Sequence, residues 1–405
     1  MKLLLSLVLF FSCILAFSQQ DSIAYLDVPG FKLKSLDAIN NPDGSILISG
    51  RFDYGSYEAV SSLYGYDPEK YPKWITQNNF FGDPMCFLHK RSANGDSLWT
   101  RLYPHHLSGI GITACQDSGF AIVGFRPTNR EKQYEYDKTQ AAIVIKTDAN
   151  GNLKWYKDIP SNYNSVGLDI VELNNGEFIV LASKEREKGY GDLSNPSIVR
   201  LVKLSTEGEI MWDKHFPEIE SGNYTPSRII LDKNGDLVSV GTKKTGSHYS
   251  MYLLKLNTDG EAKLYKEYHW LRENERHEWN WGYDVIETAN GFVAVSMAYY
   301  RKPESQRVIK VDNNFNIVWE QLVECNNTYQ GTLGTDVEGN IYFAAPTETR
   351  SVKVIKLSAE GQLIWERERT DVEANEVVGT LVNNQHLSII SRRNRITTIL
   401  KMKAD

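Results

Sequence analysis

Within one short stretch, Tyr268 to Trp281, the sequence gathers His269, Trp270, Arg272, Arg276, His277, Trp279 and Trp281. Indole rings beside imidazole and guanidinium groups suit two kinds of chemistry. One is stacking on the flat or apolar face of a ligand, and the other is proton transfer with neutralisation of a nearby anion. Related groups recur upstream: Tyr54, Tyr66 and Trp74 in one block, then His105 and His106, Arg126 and Tyr134, and Arg186 and Tyr190. These residues are the candidate ligand contacts. A polysaccharide lyase would need a His or Tyr base and a cation against a uronate, roles open to His105, His106, His269, His277 and Arg276. No spacing fixes them as a constellation, so no catalytic residue is assigned. Glu273, Glu275 and Glu278 do not identify the facing carboxylates of a hydrolase.

No metal or cofactor is expected. Cys-x-x-Cys and His-x-x-x-His spacings are missing. Asp232-Lys-Asn234-Gly-Asp236 looks like half a calcium loop, but it lacks the bidentate Glu and fits an ordinary turn better. Cys86, Cys115 and Cys325 remain once Cys13 is removed with a leader, and an odd count excludes a full disulfide framework. Three buried thiols are the expectation. Asn223-Tyr-Thr and Asn326-Asn-Thr are glycosylation sequons, used only in a host with that machinery.

The net charge of −6 offers no sequence-wide attraction for nucleic acid or an anionic membrane. Met1-Lys2 followed by the apolar run Leu3–Phe17, with Ala16 and Ser18 as small residues, reads as a signal peptide cut after Ser18. Cys13 as a lipid-anchored residue is the less favoured reading. Export to the periplasm or the outside follows, with no transmembrane span.

The elements that must position the candidate residues come from a repeat. An apolar strand ending in Lys is followed by Gly five residues on and Trp nine residues on: Lys90-Gly95-Trp99, Lys146-Gly151-Trp155, Lys203-Gly208-Trp212 and Lys356-Gly361-Trp365. Lys255-Gly260-Leu264 and Lys310-Phe315-Trp319 are degenerate copies, and Ile399-Leu400-Lys401 is a truncated seventh. Before each copy stands a turn pair of the Asn-Gly type: Asp43-Gly44, Ser118-Gly119, Asn175-Gly176, Asn234-Gly235, Asn290-Gly291, Glu338-Gly339 and the imperfect Asn384-Gln385. Such pairs close tight hairpins. Each unit therefore has four antiparallel strands, a to d, and radial repetition of such sheets makes a β-propeller.

The expected fold is all-β, a single seven-bladed propeller over 19–405. The blades fall near 33–103, 109–159, 166–217, 226–268, 282–323, 331–369 and 377–403. The last lacks a d strand, which residues 22–28 supply, closing the ring. The recurrent Trp is expected to wedge between blades. The recurrent Lys is expected to be a snorkelling or edge-protecting charge.

The units resemble those of secreted bacterial β-propeller repeat proteins, which read roughly D-G-strand-G followed by strand-K-x-D-x-x-G-x-x-x-W. Gly44–Gly50 and Ile145–Trp155 carry the likeness. A more distant similarity is to the Trp-bearing repeats of quinoprotein-like propellers. Seven copies and no adjacent cysteines speak against a quinone cofactor. The resemblance implies fold and export, and no single activity.

Strand parity places the b–c loops and the d–a crossovers at one end of the ring. From the turn Gly to the c-strand Lys the spacing is 46 residues in blade 1, 27 in blades 2 and 3, and 16 in blade 7. Long connections in a compact fold are usually functional. The decorated loops carry 12 basic and 14 acidic residues, a balance that excludes a polyanion funnel for nucleic acid and weighs against an acidic polysaccharide. The expected function is an exported, monomeric binding or scaffold module taking a glycan or protein on this face. A lyase-like enzyme is the alternative.

Overall fold

A strand rich in β-branched residues that runs into an Asn-Gly or Asp-Gly pair folds back on itself, and here it does so once per repeat. The structure is a computed structural model. It describes residues 22–26, 32–41, 43–53, 85–93, 95–103, 108–127, 140–185, 197–216, 223–271, 278–299, 303–325, 330–383, 386–393 and 396–404. These residues form seven four-stranded antiparallel sheets arranged as a seven-bladed propeller. The inner strands are Lys32–Asn40, Ser108–Ala114, Ser165–Glu172, Asn223–Leu231, Gly282–Thr288, Thr332–Thr335 and Glu376–Val382. In blades 1 to 6 the next three strands in sequence follow outward. In blade 7 the outermost strand is Ser22–Leu26, paired with Ile396–Lys403 through Ser22–Lys401 and Leu26–Thr397, so the ring closes as the repeat count requires. The leader, with Cys13, lies outside the described residues. Among the described residues no helix is long and apolar enough to cross a membrane. Cys86, Cys115 and Cys325 are buried free thiols, and burial pushes Cys115 and Cys325 up to about 12.

In blades 1, 2, 3 and 5 the recurrent Trp couples its blade to the next one's c–d turn. Trp155 lies so close over Gly208 that a Cβ there would meet the indole at 2.9 Å, and Trp319 covers Gly361 at 2.6 Å. Trp99 and Trp212 sit on Gly151 and Gly260 in the same way. The two degenerate copies then explain each other. Blade 4 has Leu264 where Trp is expected, and the following turn has Phe315 where Gly is expected. Phe315 is fully buried at φ 62°, with Leu264 packed against its cluster, so the larger turn residue fills the space the smaller wedge leaves. Gly95 has no neighbouring atom within 4 Å of a Cβ among the described residues, because the preceding outer strand is Ser22–Leu26, which carries no Trp.

The recurrent Lys is more than an edge charge. It turns inward and clasps the a–b turn of its own blade: Lys146 Nζ donates to Asp117 at 2.7 Å, Lys255 to Asp232 at 2.7 Å, and Lys203 lies 2.8 Å from Glu177. In blades 5 and 6 the ammonium reaches a backbone carbonyl of the following unit, Ala359 or Ala404, at 2.8 and 2.9 Å. Asp232 is spoken for in the same way: one oxygen accepts from the Asn234 and Asp236 N–H groups and the other from Lys255, the wiring of a turn rather than of an ion site. One turn differs from expectation, since Ser118 and not Gly119 takes the positive φ in blade 2.

At the axis, a β-bulge in six of the inner strands re-aims the residue that follows it. Those residues are Asp37, Gly111, Asp169, Arg228, Asp284 and Gly379. Arg228 of blade 4 reaches Asp37 of blade 1 at 3.0 Å, Asp169 of blade 3 at 3.5 Å and Asp284 of blade 5 at 3.7 Å. Each aspartate also binds the next blade's inner strand through a backbone N–H: Ile112 at 3.0 Å, Ile229 at 2.9 Å and Leu333 at 2.9 Å. Burial pushes all three carboxyls up, against the pull of Arg228. Asp169 rises from the ordinary 3.8 to about 7, the Asp37 carboxylate adding to the rise.

Two predictions follow from these contacts. Replacing Gly208 by Phe collides with Trp155 and should cost roughly 1–3 kcal/mol in urea unfolding. Adding Trp155→Leu should recover part of that loss, reproducing the Leu264–Phe315 arrangement; additive costs would refute the pairing. For Asp169, the folded chain holds a proton up to about pH 7 that the unfolded chain releases near 3.8. The stability this provides is complete below the lower value and is lost as pH rises through the upper, at most about 1.4 kcal/mol per pH unit. Acidification from about pH 8 to about pH 5 should therefore raise the melting temperature of the parent relative to Asp169→Asn. Equal responses would contradict the cluster's role.

Candidate functional site

The antiparallel order within every sheet puts the b–c connections and d–a crossovers at one end of the ring. The three long b–c insertions leave from this end. Tyr54, Tyr66, Trp74, His105, His106, Tyr134, Arg186, Tyr190, Arg276 and His277 lie outside the described residues. What is described at this end is dominated by the crossover from blade 4 to blade 5.

Its last four residues, Glu278 to Trp281, are sewn in by backbone bonds on both sides. The Asn280 N–H donates to Tyr249 O at 3.0 Å and the Glu278 N–H to Trp270 O at 2.9 Å. From blade 5, the Met297 N–H donates to Trp281 O and the Tyr299 N–H to Trp279 O, both at 2.9 Å. A strand-like segment alternates its side chains. Glu278 and Asn280 point inward and are buried, while Trp279 and Trp281 point the other way and are half-buried.

There the two indoles meet a tyrosine from each flanking blade. Tyr249 lies 4.5 Å from Trp281 and 4.9 Å from Trp279, centroid to centroid. Tyr299 stacks on Trp279 at 5.7 Å with 15° between the planes, and meets Trp281 edge-on at 5.9 Å. Trp279 and Trp281 are themselves perpendicular at 5.7 Å. The rings touch, so they make a continuous half-exposed surface and not a cage around a void. Lys244 stands beside it, its Nζ 5.3 Å from the Tyr249 centroid.

Beneath the surface is a buried charge cluster. Arg307 Nη2 binds Glu278 at 2.8 Å, and both side chains are essentially sealed from solvent. The other arm of the guanidinium pairs with Glu320. Trp270 roofs Arg307 at 4.4 Å and donates from Nε1 to Glu320 at 2.9 Å. Arg307 stands three residues before its c-strand Lys, and Glu320 ten residues after that Lys. The same positions carry Arg200 with Asp213, 2.6 Å apart, in blade 3, Lys353 with Glu366 at 2.9 Å in blade 6, and the Tyr252–Tyr265 ring pair in blade 4. This is a repeat-derived brace, and in blade 5 it anchors the crossover.

The sequence candidates divide accordingly. Trp279 and Trp281 come together at the surface. Trp270 is part of the brace, stacked on Tyr268 at 5.9 Å. His269 is exposed, with Nδ1 hydrogen-bonded to Ser250 Oγ at 2.9 Å and Nε2 3.6 Å from Glu267. Arg126 forks onto Asp158 of its own blade, with Nε at 2.6 Å. Tyr249, Tyr299, Lys244 and Arg307 were not among the sequence candidates, and Glu278 stood there only as one of three unassigned acids. The Arg–acid spacing around the recurrent Lys was the one available signal for the brace.

No protein-family model matches the chain, and no curated protein matches it either. Among solved structures, the chain is similar to a catalytically inactive virginiamycin B lyase from Staphylococcus aureus with quinupristin, at TM-score 0.54 and 10% identity, covering 95% of this chain and 100% of that one. It is similar to the polysaccharide lyase Uly1 at TM-score 0.53 and 11% identity, covering 96% and 93%. It is also similar to the WD40 β-propeller domain of Doa1 at TM-score 0.51 and 9% identity, covering 94% and 96%. Likeness at this identity is a likeness of fold.

Removing Glu278 leaves one arm of a buried guanidinium without its carboxylate. Glu278→Leu should cost roughly 2–4 kcal/mol in chemical unfolding, and the double variant Glu278→Leu/Arg307→Met should be more stable than that single variant, since no buried guanidinium arm is then left without a partner. A double variant less stable than Glu278→Leu would contradict this reading of the brace.

Proposed function

We propose that the chain is an exported, monomeric binding propeller that takes a glycan on the surface formed by Tyr249, Trp279, Trp281 and Tyr299. The observation that carries the reading is the fixing of that surface. Four touching rings from three segments are held by backbone hydrogen bonds to both neighbouring blades, at the end of the ring where the long insertions leave. A pyranose presents an apolar C–H face that fits a flat indole. Rings already ordered lose little conformational freedom when the ligand arrives. Export rests on the leader reading of Met1–Ser18, with Gln19 as the first mature residue. The lyase folds among the similar structures carry no activity over to this chain.

Residues 19–405 should bind at least one member of a panel of neutral and uronic polysaccharides in calorimetry. Trp281→Ala should weaken that binding at least about tenfold, some 1.4 kcal/mol, with the melting temperature little changed. Ultraviolet-absorbing unsaturated ends released during incubation would replace the binder with a lyase. Failure of every glycan would shift the face to a protein partner.

A further inference from the structure

We propose that the glycan bound by this surface is anionic, its carboxylate or sulfate met by the ammonium of Lys244; this rests on the glycan reading above. The Lys244 Nζ is 5.3 Å from the centroid of Tyr249, and that ring is 4.5 Å from Trp281, so the cation stands one ring away from the indole. A uronate stacked on an indole projects its carboxylate from the rim of the sugar ring, sideways toward such a neighbour. Lys244 also covers one face of Tyr249, leaving the indoles as the more open stacking faces.

The local charge balance points the same way. Glu278 is bound to Arg307 at 2.8 Å, and Glu267 to Lys243 at 2.5 Å. Glu320 is taken by Arg307 and Trp270. These three described acids are therefore already paired with partners of their own. Among the described residues the Lys244 Nζ has no carboxylate or carbonyl partner, unlike Lys243 beside it and the recurrent c-strand lysines. Lys244 is half-buried, so less solvent screens it than screens a fully exposed lysine. The even balance of charge summed over all the long loops does not oppose this. That sum describes a long-range field, which is screened beyond about 8–10 Å at ordinary ionic strength, whereas recognition of one carboxylate is a contact.

The test uses residues 19–405 with alginate, polygalacturonate and hyaluronan, each paired with its carboxyl-reduced form, together with chondroitin sulfate, neutral xylan and a single-stranded oligonucleotide. The expected result is at least tenfold tighter binding of one acidic polymer than of its reduced partner, or of the sulfated chain than of xylan. The paired arms separate carboxylate from sulfate recognition. Lys244→Gln should lower that preference to near unity, while Trp281→Ala weakens the acidic and neutral forms alike. Both variants should melt within a few degrees of the parent. Equal binding of acidic and reduced forms, with no preference for the sulfated chain over xylan, overturns this proposal and leaves the glycan reading standing. So does an acidic preference that survives Lys244→Gln. Binding of no glycan overturns both, and preference for the oligonucleotide over every glycan overturns both as well.

Discussion

Arg228 crosses the axis of the ring, and the placement of six of the seven sheets depends on what it finds there. A propeller has no central core of its own; its inner strands surround a channel, and something must fix their distance from the axis. Here one guanidinium from blade 4 holds carboxylates from blades 1, 3 and 5. Each of those carboxylates in turn takes a backbone N–H of the following blade, so six of the seven inner strands are tied into one network. Three acids share one cation in a low-dielectric site, which keeps their proton affinities high and makes the arrangement responsive to pH near neutrality.

Outside the axis, order spreads by neighbour contact. In most blades the Trp sits on the turn of the next, and the c-strand Lys locks the a–b turn of its own blade or reaches a carbonyl of the following unit. Both devices act within a blade or between neighbouring blades, which is why a chain of degenerate repeats can fix a ring. The same logic produces the aromatic surface of the crossover. An Arg–acid brace that serves other blades as packing is used in blade 5 to seat the crossover, and the crossover then presents Trp279 and Trp281 between two tyrosines.

Legibility in the sequence followed distance along the chain. The Lys-Gly-Trp spacing and the Asn-Gly turns are local, and they were enough to count the blades and to find the strand that closes the ring. Leu264 and Phe315 were visible as defects. Their mutual compensation was not, because it operates between blades. Asp169 and Asp284 lay in recognised inner strands, yet nothing local says that a bulge turns them toward Arg228, whose other partner, Asp37, is nearly two hundred residues away. At the surface, Trp279 and Trp281 are among the aromatic and charged residues that the sequence singles out in the crossover. Tyr249 and Tyr299 look like ordinary strand-end residues until the blades bring them to either side of the crossover. Trp270 shows the converse: its type suggested a ligand contact, and a buried arginine claims it instead.

The tryptophans divide into wedges that hold the ring and the two crossover indoles proposed to face a ligand. The most direct measurement is a titration of the chain with a binding glycan, following the assigned indole N–H resonances by nuclear magnetic resonance. The signals of Trp279 and Trp281 should move in proportion to occupancy while those of Trp99, Trp155, Trp212, Trp319 and Trp365 stay in place. Movement confined to the wedge tryptophans, or saturation of the ligand with the two crossover indoles unmoved, would contradict it.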